Sequence, residues 1–167
     1  MKGVVAGLLM MGAVWVGLGV PPLSQSVTIS WYSQGWISLW VHPDLFLGVA
    51  DRSSFNPEDK SFRPLEALGN PVVVAGNLPQ GLVLTIRAVD WQVPPGFPEP
   101  VPEGFLEDFQ WRVSGGNFQP LSLEETVVWQ SSGPKVAQLS VDYRYQLEIT
   151  DVPGDYSVTI LYTASAP

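Results

Sequence analysis

The side chains that most often perform catalysis are few in this sequence. His42 is the only histidine among the 167 residues, and there is no cysteine. Zinc centres are built from several histidine or cysteine ligands, so the usual zinc-binding sets are missing. The Gly-x-Ser-x-Gly turn that presents a nucleophilic serine in α/β-hydrolases does not occur either. Because His42 precedes Pro43, we interpret it as a surface residue at the end of a strand.

Acidic side chains are concentrated in two stretches. The members of the two stretches are Asp51, Glu58 and Asp59, and then Glu99, Glu103, Glu107 and Asp108. Paired carboxylates can hydrolyse glycosides, and carboxylate oxygens are the ligands that calcium prefers. Neither stretch has the Asp-x-Asp-x-Asp-Gly spacing of a dedicated calcium loop. We therefore interpret them as solvated loop charges and expect no cofactor, with Ca²⁺ as the alternative.

Aromatic side chains in or beside predicted loops offer another kind of chemistry, which is stacking against sugar rings. The candidate ligand platform consists of Trp91, Phe97, Phe105 and Phe118. It requires these rings to be exposed and coplanar, as in carbohydrate-binding sandwiches. The alternative is a core position, since aromatic side chains bury large areas. The sequence has no glycine-rich phosphate loop and no basic aromatic stripe, so nucleic acid is not an expected partner.

The first 26 residues have the pattern of a secretory signal peptide. Lys2 gives a positive start, residues 3–19 carry no charge, and two prolines follow. Ser24 and Ser26 supply the small side chains found before a cleavage site, so Val27 is the predicted mature N-terminus. The alternative is an uncleaved anchor, because the apolar segment approaches the roughly 20 residues that span a bilayer.

Export and charge together restrict the partners. The whole chain has a formal net charge of −8, and loss of Lys2 makes the mature domain one unit more negative. An acidic surface disfavours nucleic acid and anionic lipid. We expect a secreted, periplasmic or cell-surface protein that contacts a membrane only through an uncleaved signal segment. The expected partners are proteins or polysaccharides of the cell envelope or the extracellular space, and self-assembly is a further option.

Residues 27–167 predict one all-β domain, because apolar and polar residues alternate with a period of two. We predict strands at Val27–Trp31, Trp36–His42, Leu45–Ala50, Phe109–Val113, Thr126–Gln130, Leu139–Ile149 and Tyr156–Thr163, and a hairpin from Pro71–Gly76 and Leu82–Trp91. The remaining predictions are a long loop at 51–70, a proline-rich loop at 92–104 and one helical turn at 103–109. Eight or nine strands favour an antiparallel, immunoglobulin-like two-sheet sandwich, with a short barrel as the alternative.

Two segments of the chain, one of them near its end, resemble parts of known protein families. Leu147–Thr163 contains Gly154-Asp155-Tyr156 followed by alternating Thr and apolar residues, and Asn77–Arg87 begins with Asn-x-Pro-x-x-Leu. These segments are similar to parts of WxL-type surface domains and of spore-coat-U-like and fimbrial proteins. The resemblance implies an immunoglobulin-like sandwich on a bacterial surface. The Trp-x-Leu tripeptide and the paired cysteines are missing, which puts attachment to peptidoglycan by that route in doubt.

Tyr156 is a candidate tyrosine corner. In that motif the ring enters the core and the hydroxyl caps a backbone group a few residues upstream. The alternative is that Tyr156 is simply the first core residue of the last strand.

Three functions remain open. The first is a non-enzymatic structural and interaction domain of a secreted or surface protein of a bacterium. The second is a carbohydrate-binding module that uses the exposed loop aromatics. The third is a subunit that polymerises by strand exchange, with Val27–His42 as the donor strand. No nucleophile, base and orienting group occur together, so an enzyme is not expected.

Overall fold

A computed structural model describes Ser30 and residues 33–97 and 103–167. The predicted signal peptide and, except for Ser30, the predicted strand at Val27–Trp31 lie outside the described residues. Within the described part of the chain, no helix is long and apolar enough to cross a membrane.

The described residues form ten strands, all paired antiparallel. They are β1 Ile37–Val41, β2 Phe55–Asn56, β3 Ser61–Phe62, β4 Leu65–Gly76, β5 Val83–Gln92, β6 Phe109–Val113, β7 Gln119–Pro120, β8 Thr126–Gln130, β9 Lys135–Tyr145 and β10 Ser157–Ser165. A single α-helix, α1 (Glu103–Asp108), precedes β6, and a 3-10 turn spans Arg52–Ser54. Five strands form one sheet in the order β1-β4-β9-β6-β7, three form a second in the order β10-β5-β8, and β2 pairs with β3.

The core lies between the two larger sheets. The five-stranded sheet contributes Val72, Trp111 and Val141, and the three-stranded sheet contributes Leu84 and Ile86. These side chains recur at every second position of their strands, so each sheet has one apolar inner face and one outer face. The structure therefore confirms the predicted all-β antiparallel sandwich.

The predicted hairpin of Pro71–Gly76 and Leu82–Trp91 is wrong. The first segment belongs to β4 of the five-stranded sheet, and the second belongs to β5 of the three-stranded sheet. The turn at Gly81 sends the chain across the sandwich. Gly81 has a φ of +102°, and a Cβ there would lie 2.0 Å from the carbonyl oxygen of Ser131. Glycine is therefore required where this connection packs against the one between β8 and β9.

Several strand positions and bounds also differ from the sequence prediction. Leu45–Ala50 contains no strand, and the predicted loop at 51–70 contains β2, β3 and the start of β4. β9 ends at Tyr145, and Ile149 is 84% exposed. Beyond Tyr145 the Gln146 amide donates to the carbonyl of Asp108 at 3.0 Å, and a turn follows.

Candidate functional site

The four rings of the predicted ligand platform do not share one exposed surface. Phe105, on α1, is 1% exposed, so its ring is a core residue and is not accessible to a ligand. Phe97 packs edge-on against it with 6.1 Å between ring centres, and Trp91 is a partly buried neighbour of the same core. Phe118 follows β6 and contacts two arginines elsewhere. Of the four platform rings, only those of Phe97 and Phe105 are in direct contact.

Tyr156 joins this aromatic cluster from the start of β10. Its ring lies 5.8 Å from those of Phe97 and Tyr145, and 6.2 Å from that of Phe105. Its hydroxyl donates to the carbonyl of Val152 at 2.7 Å. The ring is thus held in the core while the hydroxyl caps the connection between β9 and β10, four residues upstream.

Asp142 is the buried charge of the sandwich, at 4% exposure. It lies on the outer face of β9 beside a bulge in β4, where Gly69 has a φ of +74°. Its carboxylate accepts hydrogen bonds from the Gly69 amide at 2.8 Å, the Ser114 hydroxyl at 2.7 Å and Arg112 Nε at 2.8 Å. Burial acts to raise the pKa of Asp142, but these three donors together lower it. We call these four residues the Asp142 network.

Phe118 borders the Asp142 network. The guanidinium carbons of Arg112 and Arg144 lie 4.2 and 4.0 Å from the centre of its ring. Arg112 also pairs with Asp142, and Arg144 Nε donates to Gln110 Oε1 at 2.8 Å. The aromatic surface that a sugar would need is therefore in contact with two cations that the sheet itself holds in place.

Three carboxylates lie close together where α1 meets the β9–β10 connection. We call Asp108, Glu148 and Asp151 the acidic corner. Asp151 accepts hydrogen bonds from the Tyr145 hydroxyl at 2.9 Å and from the Glu148 amide at 2.8 Å. Burial, and then the charges of Glu148 and Asp151, raise the pKa of Asp108 to about 6. Among the described residues, no three His, Cys, Asp or Glu side chains are arranged to hold a metal ion.

Of the other residues considered from the sequence, His42 lies at a strand end and Asp51 and Asp59 lie in turns, whereas Glu99 lies outside the described residues. His42 is exposed, one residue beyond the end of β1. Asp51 and Asp59 each cap a turn, accepting hydrogen bonds from the Ser53 and Ser61 amides at 2.7 and 3.0 Å. Hydrogen bonds from those serine hydroxyls and amides lower the pKa of both carboxylates.

Two exposed tryptophans lie outside the predicted ligand platform. Leu39 and Val41 of β1 pack against the core, so alternation places Trp36 and Trp40 on the outer side of the strand. Their exposed fractions are 49% and 51%. Trp40 lies opposite Val73 of β4, at an edge of the five-stranded sheet. Four residues of extended chain separate the two rings by about 13 Å.

The edge strand β10 is the other accessible feature. Within the described part of the chain it pairs with β5 on one side only. It has nine residues, whereas the other edge strands of the two larger sheets, β1, β8 and β7, have five, five and two. Its sequence Ser-Val-Thr-Ile-Leu-Tyr-Thr-Ala-Ser contains no charge and no proline. Charges and prolines are the features that protein edges ordinarily use to prevent pairing with another strand.

The predicted donor segment Val27–His42 is partly occupied. Its residues Ile37–Val41 are β1, which pairs with β4 of the same chain from Ile37 opposite Gly76 to Val41 opposite Val72. Strand exchange by the whole segment would require those pairs to break.

No family model matches the chain, and no curated protein matches it.

Proposed function

We propose that this chain is an exported, non-enzymatic structural and interaction domain of a bacterial secreted or cell-surface protein, built on an immunoglobulin-like sandwich. The observation that carries the proposal is the outer edge of β10, which has no second strand partner among the described residues. This strand of nine uncharged residues presents backbone donors and acceptors along about 30 Å of that edge. Such an edge is a template for another strand, and natural proteins normally obstruct it.

In the Asp142 network and the acidic corner, polar side chains form hydrogen bonds within the fold. This supports an interaction role rather than a catalytic one. The carboxylate of Asp142 accepts one hydrogen bond from Gly69 in the β4 bulge and two from Arg112 and Ser114, on and just after β6. Asp151 accepts from the Tyr145 hydroxyl and a backbone amide, and the Tyr156 hydroxyl donates to a carbonyl. Residues 1–26 support export through their signal-peptide pattern.

The immunoglobulin-like assignment has its own support. Consecutive strands β4 and β5 lie in opposite sheets, which is a crossing found in Greek-key sandwiches. Tyr156, whose hydroxyl bonds four residues upstream, has the contacts of the tyrosine corner known from such domains.

Fractionation of the cells that make the protein tests export. We expect the protein in the envelope or extracellular fraction, with an N-terminus at Val27 as determined by intact mass. A Leu8→Arg variant, with a charge in the apolar segment, should stay inside the cell with its N-terminus uncleaved. Wild-type protein recovered only from the cytoplasm would contradict the proposal.

Polysaccharide binding is a second candidate function, favoured by Trp36 and Trp40. Two half-exposed indoles on one side of an edge strand offer flat apolar surfaces at a spacing of several sugar rings. Pull-down on insoluble cell-wall polysaccharides, with Trp36→Ala and Trp40→Ala variants, tests this candidate. Phe118→Ala is the matched control, because its ring is in contact with Arg112 and Arg144. Equal retention of all variants would exclude the two indoles as the binding surface.

A further inference from the structure

The outer-face residues of β10 repeat in reverse order about its centre. Reading outward from Leu161, the outer side chains are Thr159 and Thr163, and then Ser157 and Ser165. The strand is therefore close to a palindrome on its outer face, with small hydroxyl side chains at equal distances on both sides of one leucine. The inner positions, two on each side of the centre, are all apolar or aromatic: Val158, Ile160, Tyr162 and Ala164.

From this pattern we infer that β10 pairs with β10 of a second copy of the chain, antiparallel, about a two-fold axis at Leu161. This inference rests on the proposed interaction role and names the partner. In that register Thr159 lies opposite the partner's Thr163, and Ser157 opposite the partner's Ser165. Directly opposed Thr–Thr and apolar pairs stabilise antiparallel strands. A two-fold interface requires this kind of self-complementary surface.

Charge does not oppose a second copy at this strand. The chain carries a formal net charge of −8, so two copies repel each other overall. The β10 seam carries no charge on either face. The nearest charged side chains of the same sheet lie one strand away on β5, where Arg87 is opposite Leu161 and Asp90 is opposite Thr159. Across the axis the two copies of Arg87 would lie about three strand spacings apart, roughly 14 Å, where salt screens their repulsion.

The neighbouring layer enlarges the contact. β1, an edge strand of the five-stranded sheet, lies beside β10 at the same side of the sandwich. Its residue Ile37 is an exposed apolar side chain. A two-fold axis at β10 would bring β1 of each copy close to the seam as well. Both layers of the sandwich would then contribute buried area, which a single pair of strands alone would supply poorly.

A charge-swap experiment tests the pairing and its register together. One variant carries Thr159→Lys and Thr163→Lys, and a second carries Thr159→Glu and Thr163→Glu. In the inferred register each variant opposes like charges at two positions in its own dimer, whereas a mixed dimer has two Lys–Glu pairs. Protein purified from cells that make the full chain is measured by sedimentation equilibrium at low salt.

We expect the wild type to be a dimer and each variant alone to associate at least about ten-fold more weakly. Mixing the two variants should restore a dimer of one copy of each. The control Val127→Lys places a charge on the outer side of β8, at the opposite edge of the same sheet, and should leave the wild-type association unchanged.

Three results would overturn the inference: a monomeric wild type, a dimer that the Lys and Glu variants leave intact, or an open-ended series of oligomers. The same samples separate the inference from the proposed function. A monomer recovered outside the cell would contradict the inferred dimer but agree with the proposed export. A charge-sensitive dimer found only in the cytoplasm would support the dimer but contradict export.

Discussion

The Asp142 network and the acidic corner place the same kind of side chain in opposite environments. Asp142 is surrounded by an arginine, a hydroxyl and a backbone amide, and these donors lower its pKa. Asp108 is partly buried near Glu148 and Asp151, and burial together with those charges raises its pKa to about 6. One carboxylate is stabilised as an anion by the folded chain, whereas the other is penalised for its charge.

The difference follows from the elements that meet at each place. Asp142 lies on a strand with partners on both sides, so β4 and β6 hold its donors at fixed distances. The acidic corner is assembled from the end of a short helix and the turn after β9. There the Gln146 amide donates to the backbone carbonyl of Asp108, and the Glu148 amide donates to the carboxylate of Asp151. These amides form hydrogen bonds within the connection itself, and the negative charges of Asp108, Glu148 and Asp151 lie near one another.

Removal of the Asp142 carboxylate should have the largest effect. We expect Asp142→Ala to lower the free energy of unfolding by about 3 kcal/mol at pH 7, since it leaves Arg112 and the Gly69 amide without their acceptor. This value is at the lower end of the destabilisation usual for breaking a buried ion pair, because the Arg112 side chain is 29% exposed. Urea denaturation measures the change.

Asp142→Asn is the matched variant, because it keeps the size and one acceptor oxygen while removing the charge. Its loss of stability should be smaller than that of alanine at neutral pH. Since the folded-state pKa of Asp142 is lowered, the stabilisation by its charge is present above the ordinary value of 3.8 and disappears as the pH falls below it. A loss below about 1 kcal/mol for Asp142→Ala would mean that water replaces the carboxylate.

Removal of a carboxylate from the acidic corner should raise the free energy of unfolding rather than lower it. Because the pKa of Asp108 is raised from 3.8 to about 6, the folded state binds its proton more tightly than the unfolded state. Stability is therefore lost as the pH rises through that interval. Asp108→Asn should raise the free energy of unfolding by about 1 kcal/mol at pH 7.5, a figure reduced for solvent screening of this partly exposed group.

The gain from Asp108→Asn should shrink toward zero as the pH is lowered to 4, where the wild-type carboxyl is protonated in the folded state. Thermal unfolding followed from pH 4 to 7.5 measures this dependence. Glu58→Gln is the control, because it removes one exposed carboxylate from the β2–β3 turn. If both variants gave the same gain at every pH, the cause would be net charge and not the acidic corner.

Strand positions were predictable where alternation is local and regular. β8 was predicted with its observed bounds, and β6 was predicted from Phe109, Trp111 and Val113. Pairing was not predictable in the same way, since the turn residues Pro79 and Gly81 suit a hairpin and a crossing between sheets equally well. The crossing brings Gly81 against Ser131, which is distant along the chain and is not indicated by the local sequence.

The Asp142 network and the acidic corner were harder to predict than the strands, because they are formed by residues that are distant along the chain. Asp142 occupies a polar position in an alternating strand, and such a position by itself predicts a solvated side chain. It is buried because the bulge at Gly69 brings an amide onto its carboxylate. The acidic corner combines residues 108, 148 and 151, a set that no spacing along the sequence reveals. Phe105 could be placed in the core only once the α1 helix was seen to pack against Tyr156.

The smallest expected effect tests how far the Asp142 network extends. Phe118→Leu keeps an apolar side chain but removes the ring beneath Arg112 and Arg144, and should cost about 0.5 kcal/mol at this partly exposed site. Arg112 is already held by Asp142, so its contact with the ring needs little further ordering of the side chain. In the Asp142→Ala background Arg112 is released, and the same Phe118→Leu change should cost measurably less. Two losses that simply add, by urea denaturation, would show that Phe118 is independent of the network.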